Sequence, residues 1–167
     1  MNLEIRVARE SDADELAGFM NKISAENLPY LAPFGFTFNT QIERAYIVNF
    51  TRTENAFLLV GVKDKEIVAA LDVMPNGSIY KNSTARMGVL VKKEYRGMGI
   101  GTLLCAKALE LVAKAGRLKK VEAEIFTNNL ASKAMFLKLG FTIDGQRTNA
   151  YYIDNNWFDV IYASYLL

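Results

Sequence analysis

Histidine is absent from the 167 residues, and cysteine occurs once, at Cys105. The first absence removes every mechanism that needs a histidine base, a histidine-activated nucleophile or a histidine metal ligand from this chain. The second leaves no partner for an intramolecular disulfide and no cysteine-rich zinc site, so no metal is expected. It also gives no sign of an oxidising compartment. Proline is scarce, at three residues. There is no Pro/Ser/Gly linker, no internal repeat and no low-complexity stretch, so residues 1–167 read as a single domain. No apolar run approaches the ~18 residues of a membrane span. The opening residues 1–6 lack the apolar stretch of a signal peptide. A cytoplasmic protein with no membrane partner is the expectation. Neither sign of charge dominates, with 20 basic against 18 acidic residues. That is not the clustered basic footprint of a nucleic-acid binder.

What is present is a regular alternation of elements. Residues 3–8 alternate as a short strand. Ser11 precedes a helical pattern as its candidate cap, with Asp12 and Asp14 in the first turn and Leu16, Phe19, Met20 and Ile23 on one face. Residues 27–40 are irregular and rich in aromatics. Tyr30, Phe34 and Phe36 either cap the core or form a wall facing a substrate. A second helix is expected over 41–51, a hairpin over 56–63 and 66–74, a turn at 75–78, and a strand over 85–91. A buried helix over 101–115 carries a narrow wet stripe of Lys107, Glu110 and Lys114. A strand at 121–127 and a helix at 130–139, closed by Gly140, follow. Two strands near 150–153 and 157–165 complete the chain. The order β-α-α-β-β-β-α-β-α-β-β argues for a mixed α/β sheet.

The sharpest feature joins the strand at 85–91 to the buried helix: Val91-Lys92-Lys93-Glu94-Tyr95-Arg96-Gly97-Met98-Gly99-Ile100-Gly101-Thr102. Three alternating glycines leave backbone N–H groups uncovered, and the helix that starts there aims its positive dipole end at the same spot. Such a loop can cradle a phosphate or pyrophosphate, with Arg96 adding positive charge at its edge. The segment lacks the G-x-x-x-x-G-K-[ST] of a P-loop, and its G-x-G-x-G spacing is not the dinucleotide G-x-G-x-x-G.

The loop matches R-x-x-G-x-G, and here the sequence resembles the GNAT N-acetyltransferase superfamily over nearly its whole length. The downstream segment strengthens the resemblance: Asn129 opens a helix, the aromatic Phe136 stands seven positions on, and Gly140-Phe141 closes it. The tail, with Asp144-Gly145-Gln146-Arg147 and Asn156-Trp157-Phe158-Asp159, looks like the branch that acetylates small amines, polyamines or protein N-termini. The resemblance implies a mixed, mostly antiparallel twisted sheet of about seven strands with four helices. It implies acetyl-coenzyme A as co-substrate. Val89, Leu90 and Val91 would meet the pantetheine arm, and Arg96, Gly97, Met98, Gly99, Ile100, Gly101 and Thr102 the pyrophosphate. Asn129 and Phe136 complete the coenzyme set, although capping alone would also explain Asn129.

The activity so implied is transfer of an acetyl group to a primary amine, small amine, amino acid or peptide N-terminus, by direct attack. An alkylammonium of pKa near ~10 must lose a proton before it attacks, so a general base is needed. On the strand at 121–127, Glu122 and Glu124 project to one face and Val121, Ala123 and Ile125 to the other. The family resemblance makes Glu124 the base candidate, five residues before Asn129. Asp72 is a weaker candidate, with a surface ion pair as its plain alternative. Many family members carry a tyrosine where this chain has Phe136. The thiolate then leaves unassisted, or Tyr151, Tyr152 or Tyr162 substitutes, or transfer has been lost. The last account is the rival from another class, a catalytically weak acetyl-coenzyme A sensor or scaffold. The apolar terminal strand over 160–167, if it lies at a sheet edge, could pair across a homodimer.

Overall fold

The computed structural model describes residues 3–31, 36–77 and 83–167. Phe34 and Ser78 lie outside the described residues. Among these residues, seven strands and four α-helices follow in the order β1 (Glu4–Val7), α1 (Ala13–Ser24), α2 (Thr40–Arg52), β2 (Phe57–Lys63), β3 (Glu66–Pro75), β4 (Thr84–Val91), α3 (Ile100–Ala115), β5 (Lys120–Phe126), α4 (Leu130–Lys138), β6 (Thr142–Ile153) and β7 (Asn156–Leu166). They build one seven-stranded sheet in the order β1-β2-β3-β4-β5-β7-β6. Only the β4–β5 pair is parallel.

The central strands are covered on both faces, and their sequences say so. Ile67–Leu71 is an uninterrupted buried apolar run, as a strand between two layers requires. One face packs Leu59, Leu71, Val73, Met87 and Ile125 against Ile100, Leu104 and Val112 of α3. The other packs Leu58, Val60 and Ala70 against Leu16, Phe19 and Ile23 of α1 and Ile47 and Phe50 of α2. Each of these side chains except Ala70 contributes roughly 1.5–3 kcal/mol by leaving water. Asp64 and Lys65 close the β2–β3 hairpin with φ of 51° and 70°, and Asp154 and Asn155 close β6–β7 with 50° and 62°. Positive φ at both residues gives these two-residue turns the twist that matches their strands.

Three features differ from the sequence expectations. Asp12, rather than Ser11, stands at the N-cap of α1. Its carboxylate accepts from the Arg9 N–H at 2.7 Å and from both Arg6 guanidinium nitrogens at 2.7 and 2.8 Å, tying the helix to β1. The Arg6 hydrogen bonds are the main reason its pKa lies below the ordinary value. Strand β6 starts at Thr142, well before residue 150. Nearly all of it is exposed, so no apolar alternation marks it; pairing to β7 defines it. Finally, β7 lies between β5 and β6 and is paired on both sides. The edge strands are β1 and β6, so the edge-pairing argument for a dimer through 160–167 does not hold.

Among the described residues, no helix is long and apolar enough to cross a membrane.

Candidate functional site

The site begins with a divergence. Strands β4 and β5 pair only through Thr84–Lys120, Ala85–Val121 and Arg86–Glu122. Beyond Arg86 they separate, while β4 stays paired with β3 as far as Val91. The second edge of β4 from Met87 to Val91 is therefore open. Hydrogen bonds at both ends show which residues face it. The Lys92 N–H donates to the Val68 carbonyl at 3.0 Å, and the Asn76 N–H to the Thr84 carbonyl at 3.0 Å. Even-numbered residues thus turn their backbone groups to β3, and Met87, Val89 and Val91 turn theirs to the gap. A cleft of about 630 Å3 runs through this gap from one face of the sheet to the other.

On the α3 face, the cleft ends at the glycine loop. Gly97 and Gly99 adopt φ of 75° and 79°, where a side chain would strain the backbone, and a Cβ at either would meet nothing within 4 Å. Gly99 caps α3 without any side-chain hydrogen bond. The helical ladder starts with Leu103 N–H to the Gly99 carbonyl at 3.0 Å. The preceding N–H groups are left to an external acceptor, and the helix dipole favours an anion there. Gly101 is needed for a different reason. A Cβ there would stand 3.1 Å from the Met135 sulfur, so glycine lets α4 close against α3.

Two loop residues depart from their expected roles. Arg96 lines the cleft, but Glu26 engages its guanidinium through two 2.7 Å hydrogen bonds, and its Nε donates to the Val91 carbonyl at 2.9 Å. It pins the end of β4 to the segment after α1, and its charge is largely answered. Met98 is 55% exposed and is not part of the cleft wall. Asn129 caps α4, its Oδ1 accepting from the Ser132 N–H at 3.1 Å, and it also lines the cleft. Phe136 is buried edge-on against Phe141 and forms part of the same wall. Thr102, Ile100 and Leu90 line it as well.

The opposite face carries the acids. Asp72 sits across from Gly88 of β4, where an added Cβ would come within 3.0 Å of its carboxylate oxygen. Burial pushes its pKa up from 3.8 to about 6, against a smaller lowering from Arg86. Glu124 reaches the cleft from β5 and accepts a hydrogen bond from the Tyr151 hydroxyl. That bond, helped by burial, pushes the tyrosine up to about 12. Tyr151 comes from β6, where the β6–β7 register shifts between Arg147 and Tyr151. The irregularity is held by Asp159, which accepts from the Asn149 N–H at 2.8 Å. The Tyr151 ring stacks on Phe126 at 5.4 Å and 13°, and Tyr30 tilts onto Phe126 at 6.1 Å. Of the other tyrosines weighed, Tyr152 is tied to Asn155 at 2.6 Å. Phe36 lines an adjoining cavity rather than the cleft.

Glu43 and Tyr46 of α2, which belong to none of the motifs above, border that same cavity. A signal was available: Glu43, Ile47 and Phe50 share one helical face, so a carboxylate stands on an apolar stripe.

The Acetyltransferase (GNAT) family matches residues 22–141, well over half of the chain. The chain belongs to the GNAT acetyltransferase family. Among curated proteins it is 28% identical over 85 residues to YdaF of Bacillus subtilis (strain 168), which is named as a candidate ribosomal N-acetyltransferase. That match takes in 51% of this chain and 46% of YdaF, about half the length of each. Solved structures share the fold throughout. A GNAT acetyltransferase from Streptococcus pneumoniae superposes with a TM-score of 0.93 at 23% identity, covering 99% of this chain and all of that one. The yncA protein of Salmonella typhimurium, solved with its cofactor acetyl-CoA, gives 0.89 at 18% identity, over 100% of this chain and 95% of that one. The GNAT sheet, with its opening beside β4, is thus the frame that brings the glycine loop and the two carboxylates onto one cleft.

Proposed function

We propose that this GNAT protein is an N-acetyltransferase that uses acetyl-CoA to acetylate a primary amine, be it a small amine, an amino acid or a peptide N-terminus. The observation that carries the reading is the continuity of the cleft. An anion cradle made of backbone lies on one face of the sheet and two carboxylates on the other, joined through the gap beside β4.

The residues fit the coenzyme. The uncapped α3 terminus with Gly97 and Gly99 suits a pyrophosphate. The outward N–H and C=O of Val89 and the N–H of Val91 suit the amides of a pantetheine arm, which adds to the sheet edge as an extended peptide does; the Val91 carbonyl already accepts from Arg96. Acetyl-CoA supplies an activated thioester when bound.

The chain's own residues prepare the amine. Glu124 accepts a proton from the acceptor ammonium, whose pKa near ~10 keeps it from attacking at neutral pH. The freed nitrogen forms the C–N bond as the C–S bond breaks; its second proton is released, and the thiolate takes up one. Tyr151 is a poor source of that proton. Its hydrogen bond to Glu124, with burial, raises the phenol and makes it a weaker acid than the thiol it would serve. Tyr151 is therefore a positioning residue that aims Glu124, and the thiolate departs unassisted. Direct attack agrees with the state of Cys105, which lies in the core with burial pushing its thiol up to about 12; it is no acyl carrier.

The test is thiol release on mixing the protein with acetyl-CoA and a panel of amines and short peptides. Release with at least one acceptor, and none without acceptor, is expected. A folded protein that binds acetyl-CoA yet releases no thiol with any of them would turn the reading toward a sensor.

A further inference from the structure

A second cavity, of about 350 Å3, opens on the face of the sheet covered by α1 and α2. Its walls are Leu16 and Met20 of α1, Ile42 of α2, Leu58 of β2, and Phe36 and Phe38. Leu31, Asp72 and Leu90 border both this cavity and the cleft, so the two meet at Asp72. The size is that of a small-ligand site with room for an aryl or branched alkyl group.

Two acids interrupt the apolar wall. One is Asp72. The other is Glu43, only 3% exposed. Burial raises the Glu43 pKa, and among the described residues no donor and no cation acts on it to compensate. Among the described residues, no fully enclosed side-chain oxygen lacks a partner, so this unpartnered carboxylate reaches the cavity space. Tyr46 lies close enough to feel both acids. Arg86 of β4 acts on Asp72 and Tyr46 from a distance and makes no ion pair with either among the described residues. Arg86 acts on Asp72, so Glu43 is the acid in these apolar walls that no cation answers among the described residues. Glu26 adds no such acid, because Arg96 holds it.

We infer that this cavity receives the acceptor, that the acceptor is a monoammonium bearing one compact apolar group, and that Glu43 is the carboxylate that selects it. The inference rests on the transferase reading above. The apolar group fills the space between α1, α2 and β3. On binding, the ammonium supplies the counter-charge and donors that Glu43 lacks, and the same nitrogen reaches Glu124 past Asp72, where the cavity opens onto the cleft. A diamine would set its second charge against those apolar walls, in the place of the apolar group.

The experiment measures binding to the whole chain by calorimetry, with phenethylamine, the peptide Leu-Gly-Gly and putrescine as probes and acetyl-CoA in a separate titration. Phenethylamine or the leucyl peptide binds more tightly than putrescine. Whichever binds more tightly identifies a free amine or a chain terminus as the source of the ammonium. Glu43→Gln weakens that binding by about tenfold or more, as loss of a charge-assisted hydrogen bond does. Ile42→Trp, which fills the cavity from α2, abolishes it. Unchanged acetyl-CoA affinity marks both variants as folded. Putrescine binding more tightly than both apolar probes, or apolar-amine affinity unchanged in either variant, overturns the inference. Amine binding with these effects but no binding of acetyl-CoA would overturn the transferase reading and leave the pocket standing.

Discussion

The two faces of the sheet are built by different means. On the α3 face the chain offers backbone: an uncapped helix start, two left-handed glycines and the open edge of β4. On the α1–α2 face it offers side chains: Asp72 from β3, Glu124 from β5, Tyr151 from β6, and Glu43 and Tyr46 from α2. A backbone site recognises what never varies, and the coenzyme is the same in every turnover. A side-chain site can be respecified one residue at a time, and the acceptor is what distinguishes one transferase from another.

That contrast can be broken most forcefully at Gly99. Its φ of 79° makes any side chain costly, and a carboxylate there repels a pyrophosphate. Gly99→Glu is expected to weaken acetyl-CoA binding by ~10²-fold or more, from strain and like-charge repulsion of several kcal/mol. Amine binding on the other face should be untouched. Loss of both would mean that the faces are not independent.

Glu124→Gln tests the side-chain half. Loss of a general base lowers kcat by ~10²–10⁴-fold, and the acetyl-CoA affinity stays constant. A kcat within a few-fold of the parent would transfer the role of base to Asp72.

The contrast also explains what was legible in the sequence. The proposed coenzyme half lies in a short contiguous run, Val89 to Thr102 without Met98, plus Asn129 and Phe136. Its backbone demands are met by residue types that announce themselves. Element order was equally plain, because β2, β3 and α3 carry strong apolar patterns. The proposed acceptor half assembles residues far apart in the chain. Nothing local told Arg96 that Glu26, 70 positions away, would take its charge. Strand β6 is wet on both faces, so only its pairing reveals it. The register shift before Tyr151 decides which side of the hairpin that phenol faces, and register is not written in residue type. Glu43 was visible only as a charge on the wrong face of α2.

A smaller effect sharpens the picture through stability. Asp72 has a folded pKa of about 6 against an ordinary 3.8. The folded state therefore binds its proton more tightly than the unfolded state, and stability falls as pH rises from about 4 to about 6. Asp72→Asn removes that loss. It should stabilise the protein by roughly 1–3 kcal/mol at pH 7, or several degrees in Tm, and by much less at pH 4. A difference in Tm that does not change with pH would contradict the burial of a charged Asp72.

The smallest effect expected is at Tyr151→Phe. Removing the phenol that aims Glu124 should lower kcat by about tenfold, near one hydrogen bond to a charged group. It should leave KM for acetyl-CoA unchanged. A basic limb that disappears in this variant would instead make Tyr151 the acid.

The central claim is that the gap beside β4 is a coenzyme site, and titrating acetyl-CoA into the purified protein by calorimetry, with NAD and ATP as controls, tests it most directly. Saturable binding of acetyl-CoA, with neither nucleotide competing at equal concentration, is the result this account predicts. A well-folded protein that takes up no acetyl-CoA would contradict it.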